Sequence, residues 1–139
     1  MVKPGGTITA IEGDHGSVCF HPETERALMT IRCQVILQQH AGGDACIGRR
    51  LYPLFASSGL TGVHVSPRLV YADAGRLDVV SGFTEKTFIA MIKGVREQAV
   101  AAGLISTDDW ENGIADLSQS ALNSGTFSYT FYKGWGIVP

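Results

Sequence analysis

Lys3-Pro4-Gly5-Gly6-Thr7-Ile8-Thr9-Ala10-Ile11 is the stretch on which the reading of the fold turns. Pro4 and the two glycines make a turn, and the β-branched run from Thr7 to Ile11 that follows reads as a strand. Gly13-Asp14-His15-Gly16-Ser17 comes next, residue types suited to a tight loop at the strand's carboxyl end.

Downstream, a helix is predicted from about His21-Pro22. Proline suits a first helical turn, and Glu23 and Glu25 suit the positive end of the helix dipole. Leu28, Ile31 and Val35 recur at helical spacing until Gly42-Gly43 stops the run. A second helix is expected from Asp44 to Gly59, with Ile47, Leu51, Leu54 and Phe55 as its apolar stripe and a kink at Pro53. Residues 63–72 read as a second strand, and Pro67, which cannot donate to a ladder, places it at a sheet edge or a bulge. Two more helices follow. One runs from Thr84 to about Ala102 with Phe88, Ile92, Val95 and Ala99 on one face. The other opens at the capping-box-like Ser106-Thr107-Asp108-Asp109 and carries Trp110, Ile114, Leu117 and Ala121. Phe127, Tyr129 and Phe131 alternate with Thr and Ser in a last strand over about 126–133.

The order strand, two helices, strand, two helices, strand points to an α/β fold. Three strands leave an unpaired edge, so a homodimer formed through that edge is expected. The chain has 139 residues, 45% of them hydrophobic and 17% charged, enough to bury the core of a single domain. A formal net charge of -2 with no basic block argues against a nucleic-acid binder. Cys19, Cys33 and Cys46 are odd in number and lack CxxC spacing, which suits a reducing cytoplasm. The start of the chain does not read as a signal peptide, and no window suits a membrane span, so neither a membrane nor a nucleic acid is expected as a partner.

Lys3-Pro4-Gly5-Gly6-Thr7-Ile8 resembles the "LKPGG" turn that leads into the fifth strand of class I S-adenosylmethionine-dependent methyltransferases. The rest follows in register. Ile47-Gly48-Arg49-Arg50-Leu51 through Ala56-Ser57-Ser58-Gly59-Leu60 is similar to the family's late helix, residues 63–72 to its sixth strand, and Thr126–Lys133 to its seventh. The resemblance implies part of a Rossmann-like sheet in which the antiparallel seventh strand lies between the fifth and the sixth. In that scheme residues 1–72 carry the fifth strand, two helices and the sixth strand. Residues 73–125 are a helical insertion that roofs a substrate pocket, and residues 126–139 carry the seventh strand. The implied function is the acceptor side of a small-molecule methyltransferase. The family binds its cofactor on earlier strands, through a Gly-rich turn and an acidic residue. No such turn occurs here, so S-adenosylmethionine is expected for an intact parent and not for this chain alone, which reads as an inactive fragment.

Asp14 and His15 are the candidate catalytic pair, since ligands of open α/β sheets bind beyond the carboxyl ends of strands. A histidine can take a proton at neutral pH. Each residue could equally bond to local backbone. His21, Arg68, Tyr71 and Phe88 are candidate substrate contacts, although Arg68 and Tyr71 fall on opposite faces of a strand and Phe88 belongs to a stripe of core character. Metal binding by Asp14, His15, Cys19 and His21 is not expected, because Cys19 and His21 are too close together and no second ligand pair follows. The rival reading is a non-catalytic dimeric α/β module holding an apolar ligand.

Overall fold

A computed structural model describes residues 2–139. Strand β1 spans Thr7–His21, β2 Thr61–Ala72 and β3 Thr126–Ile137. They form one three-stranded sheet in the order β1-β3-β2, with the last strand in the centre. Gly5 N–H donates to the Val138 carbonyl (2.8 Å) and Val138 N–H to that of Gly6 (2.9 Å), so β3 runs antiparallel to β1. Thr61, first in β2, hydrogen-bonds through its hydroxyl to the carbonyl of Ile137, last in β3. β1 and β2 therefore run the same way on either side of β3. Among the described residues, β1 and β2 are the edges.

By contact, the chain divides into two compact units, and each takes part of every strand. Of the described residues, the first comprises 2–17, 45–70 and 129–139; the second comprises 18–44 and 71–128.

In the first unit, a short 3₁₀ turn over Ile47–Arg50 leads into α2, Leu51–Ser57. The kink expected at Pro53 takes this form. Its ring excludes an α-type bond to the Arg49 carbonyl, so the chain ahead is 3₁₀ and Pro53 sits in the first turn of α2, where its missing N–H has no role. Leu51 and Phe55 lie over the bare backbone of Gly134 on β3. The predicted loop at residues 13–17 is instead strand, and β1 extends ten residues beyond the predicted Ile11 to His21. Neither Gly13 nor Gly16 has positive φ. Each is small so that another group can approach: a Cβ on Gly13 would collide with the Tyr129 hydroxyl, and one on Gly16 with the Arg49 guanidinium.

In the second unit, α1 spans Glu25–His40. The Thr24 hydroxyl caps it, accepting from Ala27 N–H at 3.1 Å. Its buried side is Ala27, Thr30, Ile31 and Cys33, whereas Leu28 and Val35 of the predicted stripe are only half-buried. The single predicted helix over 84–102 is a broken series. Its parts are α3 (Leu77–Val79), a π-helical stretch (Val80–Ile89), α4 (Ala90–Lys93) and, past Gly94 and Val95, α5 (Arg96–Ala101). Helix α6, Thr107–Ser118, starts as its sequence indicates, with the Ser106 hydroxyl accepting from Asp109 N–H. Trp110, Ile114 and Leu117 of α6 are buried, as is Phe88 of the π-helical stretch, whose ring lies 4.9 Å from that of Phe127 on β3. The Asp116 carboxylate accepts from the Thr24 hydroxyl (2.8 Å) and from Arg26 Nε (3.0 Å), tying α6 to the start of α1. The three cysteines are free thiols, and no helix of the described residues is long and apolar enough to cross a membrane.

Helices α1 and α6 meet at Gly113. A Cβ there would stand 2.5 Å from the Arg26 carbonyl and 2.6 Å from Thr30 Cγ2. At an open helical site Gly→Ala gains roughly 0.5–1 kcal/mol. Here overpacking against backbone outweighs that gain, and Gly113→Ala is expected to lose about 1–3 kcal/mol in chemical denaturation. A stabilised variant would show that the helices are not packed this closely.

Candidate functional site

The polar residues of the first unit gather where β1, the 3₁₀ turn and β3 meet. The Asp14 side chain faces this junction and is 1% exposed. Its carboxylate receives two parallel donors from Arg49, Nε at 2.6 Å and Nη2 at 2.8 Å, and a third from Gly16 N–H at 2.9 Å. A buried carboxylate is tolerated when it is paired and hydrogen-bonded in this way. The Arg49 side chain is half-exposed, and its hydrogen bonds to Asp14, with that residue's charge, raise its already high pKa. Burial pushes the neighbouring Cys46 thiol upward, and the charge of Asp14 adds to the shift, so Cys46 is protonated at neutral pH.

His15, next along β1, is fixed by Ala45. Its backbone N–H donates to the Ala45 carbonyl at 2.9 Å, and its ring Nδ1 lies 3.1 Å from the same oxygen. A carbonyl only accepts, so this geometry assigns the ring proton to Nδ1. The Tyr129 oxygen, also 3.1 Å from Nδ1, is then its second acceptor. The two rings meet edge-on, at 86° and 5.6 Å between centroids. Burial lowers the His15 pKa below 6.5, against the opposing effects of the Ala45 bond and the Asp14 charge, so the imidazole is neutral at pH 7. Its Nε2 is enclosed. Burial, reinforced by Asp14 and Cys46, pushes the Tyr129 phenol up to about 12. Ser17 completes the junction: its hydroxyl donates to the Asp14 carbonyl at 2.6 Å and accepts from Thr130 N–H on β3 at 2.9 Å.

Asp14 and His15 thus lie together, as the sequence suggests, but within a strand and not on a loop. Their partners Arg49, Ala45 and Tyr129 were not among the predicted site residues. The paired arginines Arg49 and Arg50 ahead of the apolar stripe of α2, and Tyr129 alternating with Phe127 and Phe131 on β3, were the available signals. Arg68 is exposed on β2 of the first unit and makes none of these contacts. In the second unit, Tyr71 is 39% exposed at the end of β2, and His21 is exposed at the end of β1, before the cis His21–Pro22 bond. Phe88, at 2% exposure, is core, in keeping with its stripe.

Among the described residues, no three His, Cys, Asp or Glu side chains gather as a metal site would require. The connection after β1 does not offer the nucleoside of S-adenosylmethionine a cradle. β1 continues to His21 and meets α1 through Pro22, Glu23 and the capping Thr24, with no glycine-rich turn that could cradle it. No protein-family model matches the chain, and no curated protein matches it.

The junction predicts an asymmetry. Arg49→Met strands a buried carboxylate and is expected to cost about 3–5 kcal/mol, whereas Asp14→Asn leaves Arg49 able to turn to water and costs roughly 1–2 kcal/mol. Urea denaturation of the two variants measures this, and the reverse order would contradict the assignment. His15 makes stability depend on pH. Its folded pKa lies below the 6.5 of the unfolded chain, so as pH falls past that value the unfolded state takes up the proton first. The melting temperature of the native protein should therefore fall between about pH 7.5 and pH 5.5 more steeply than that of His15→Gln. Parallel curves would remove His15 as the cause.

Proposed function

We propose that the chain is the acceptor-side part of an S-adenosylmethionine-dependent small-molecule methyltransferase, with the nucleoside held by other strands that pair with the outer edge of β1. The observation that carries this reading is the sheet order. A last strand that inserts antiparallel between two strands of like direction is the arrangement implied by the resemblance of Lys3–Ile8 and the segments after it. The open edge agrees. With Gly6 bonded toward β3 and His15 bonded away from it, strand alternation turns the backbone groups of Thr7, Thr9 and Ile11 outward, toward such partners.

In this reading Asp14 and His15 are positioning residues. The carboxylate is committed to Arg49 and the imidazole to Ala45, so the pair fixes the Ala45–Arg50 segment on β1. Methyl transfer depends chiefly on aligning the acceptor with the methyl donor, and a rigid junction serves that need. The cofactor supplies an electrophilic methyl group when bound; this chain supplies alignment.

A second reading, a dimeric α/β module that binds an apolar ligand, draws on the exposed Ile8 (36%) and Ile11 (60%) of the same strand. Calorimetry separates the two. The chain joined to the strands that the first reading assigns to the nucleoside should take up S-adenosylhomocysteine with saturating heat, and its failure to do so would contradict that reading. A dimer of the 139-residue chain that Ile11→Lys splits into monomers, with no nucleoside uptake by the longer protein, would favour the second.

A further inference from the structure

The helical series of the second unit changes its winding along its length, and the two changes have opposite sense. Over Val80–Ile89 the winding is loose: the Ala90 N–H, shared with the Thr87 carbonyl, still reaches that of Glu85, five residues back. At Gly94 and Val95 it is tight: the Val95 N–H donates to Ile92, three residues back, at 3.2 Å. An α-helix spaces these bonds by four throughout. The loose part therefore holds a surplus of chain that the tight part lacks.

Side-chain hydroxyls report which winding each position suits. On an α-helix a hydroxyl donates to the carbonyl three or four residues back. Thr30 does so to Ala27 (2.7 Å) and Ser118 to Ile114 (2.8 Å). Thr87 suits the looser winding, since its hydroxyl donates to Gly82, five residues back, at 2.8 Å. Thr84 does not. It lies on the buried side with Val80 and Phe88, at 0% exposure, and its hydroxyl has no hydrogen-bond partner among the described residues. A hydroxyl buried without a partner is costly, and α winding would bring the Val80 carbonyl, four residues back, within its reach. Packing opposes that change, because Phe88 lies 4.9 Å from Phe127 in the present winding. Rewinding from the start of the stretch turns its far end most. Phe88 would leave, while Phe83, nearer the start and 6.1 Å from Phe127, would move less and keep an aromatic ring beside it.

We infer that Val80–Val95 is a two-register switch. The loose winding passes along the series into the tight turn at Gly94 and Val95, leaving residues 80–89 α-helical with the Thr84 hydroxyl bonded to Val80. The switch is independent of methyl transfer.

Register shifts in helices take microseconds to milliseconds, the range that ¹⁵N relaxation dispersion reads. In the native protein, dispersion should appear at amides 80–95 and not along α1 or α6. Thr84→Val removes the hydroxyl with little change of shape and should lower the population of the α-wound state about fivefold, the worth of one hydrogen bond. Thr87→Val, at an exposed position, removes the bond particular to the looser winding and should raise that population by a similar factor. Flat profiles in both the native protein and Thr87→Val would overturn the inference. So would a population no higher in Thr87→Val than in the native protein, or one no lower in Thr84→Val.

Discussion

A carboxylate taken out of water must find compensating donors, and in the first unit Asp14 imposes that constraint on everything around it. Its two oxygens are met by a bidentate guanidinium and a backbone N–H, which fixes the 3₁₀ turn carrying Arg49 against β1. The small residues follow from the same demand. Gly16 leaves room for the guanidinium, and Gly13 leaves room for the Tyr129 hydroxyl beside His15. The shifted groups follow as well: Cys46 and Tyr129 sit near a buried negative charge in a dry setting, so both hold their protons, while His15 is buried neutral. The cluster joins the 3₁₀ turn to β1 as a clasp.

The second unit is held by other means. Phe88 and Phe127 pack ring on ring, and Trp110, Ile114 and Leu117 fill the core along one side of α6. The contact of α1 with α6 is close because Gly113 has no side chain, and Asp116 adds a polar tie to Thr24 and Arg26 at one end. Apolar packing sets the stability here, and the polar ties set the register between the helices.

Much of the architecture is legible in the sequence because periodicity reports burial directly. The three strands, the α/β class and the cap at Ser106 all follow from alternation, helical spacing and capping chemistry. The break between the 3₁₀ turn and α2 follows from Pro53. Length and continuity are less legible. Gly13 and Gly16 suggest a turn, whereas their small size serves tertiary contact inside a long strand, and no local signal distinguishes the two uses. The helical series over 77–101 changes its hydrogen-bonding pattern although its apolar spacing continues. Of the site, Asp14 and His15 are legible as adjacent titratable residues directly after an apolar strand run. Arg49 and Tyr129 are not, because they lie 35 and 114 residues from their partners and only the folded sheet brings them there.

Amide hydrogen exchange tests the clasp most directly. β1 is an edge strand, yet the outward N–H of His15 is bonded to Ala45, while those of Thr9 and Ile11 lie on the same open edge. The His15 and Gly16 amides should exchange at the slow rate of β3 in the sheet centre, and those of Thr9 and Ile11 far faster. Equally fast exchange at His15, Thr9 and Ile11 would mean that the segment from Ala45 to Arg50 is not held on β1, and the account would fail.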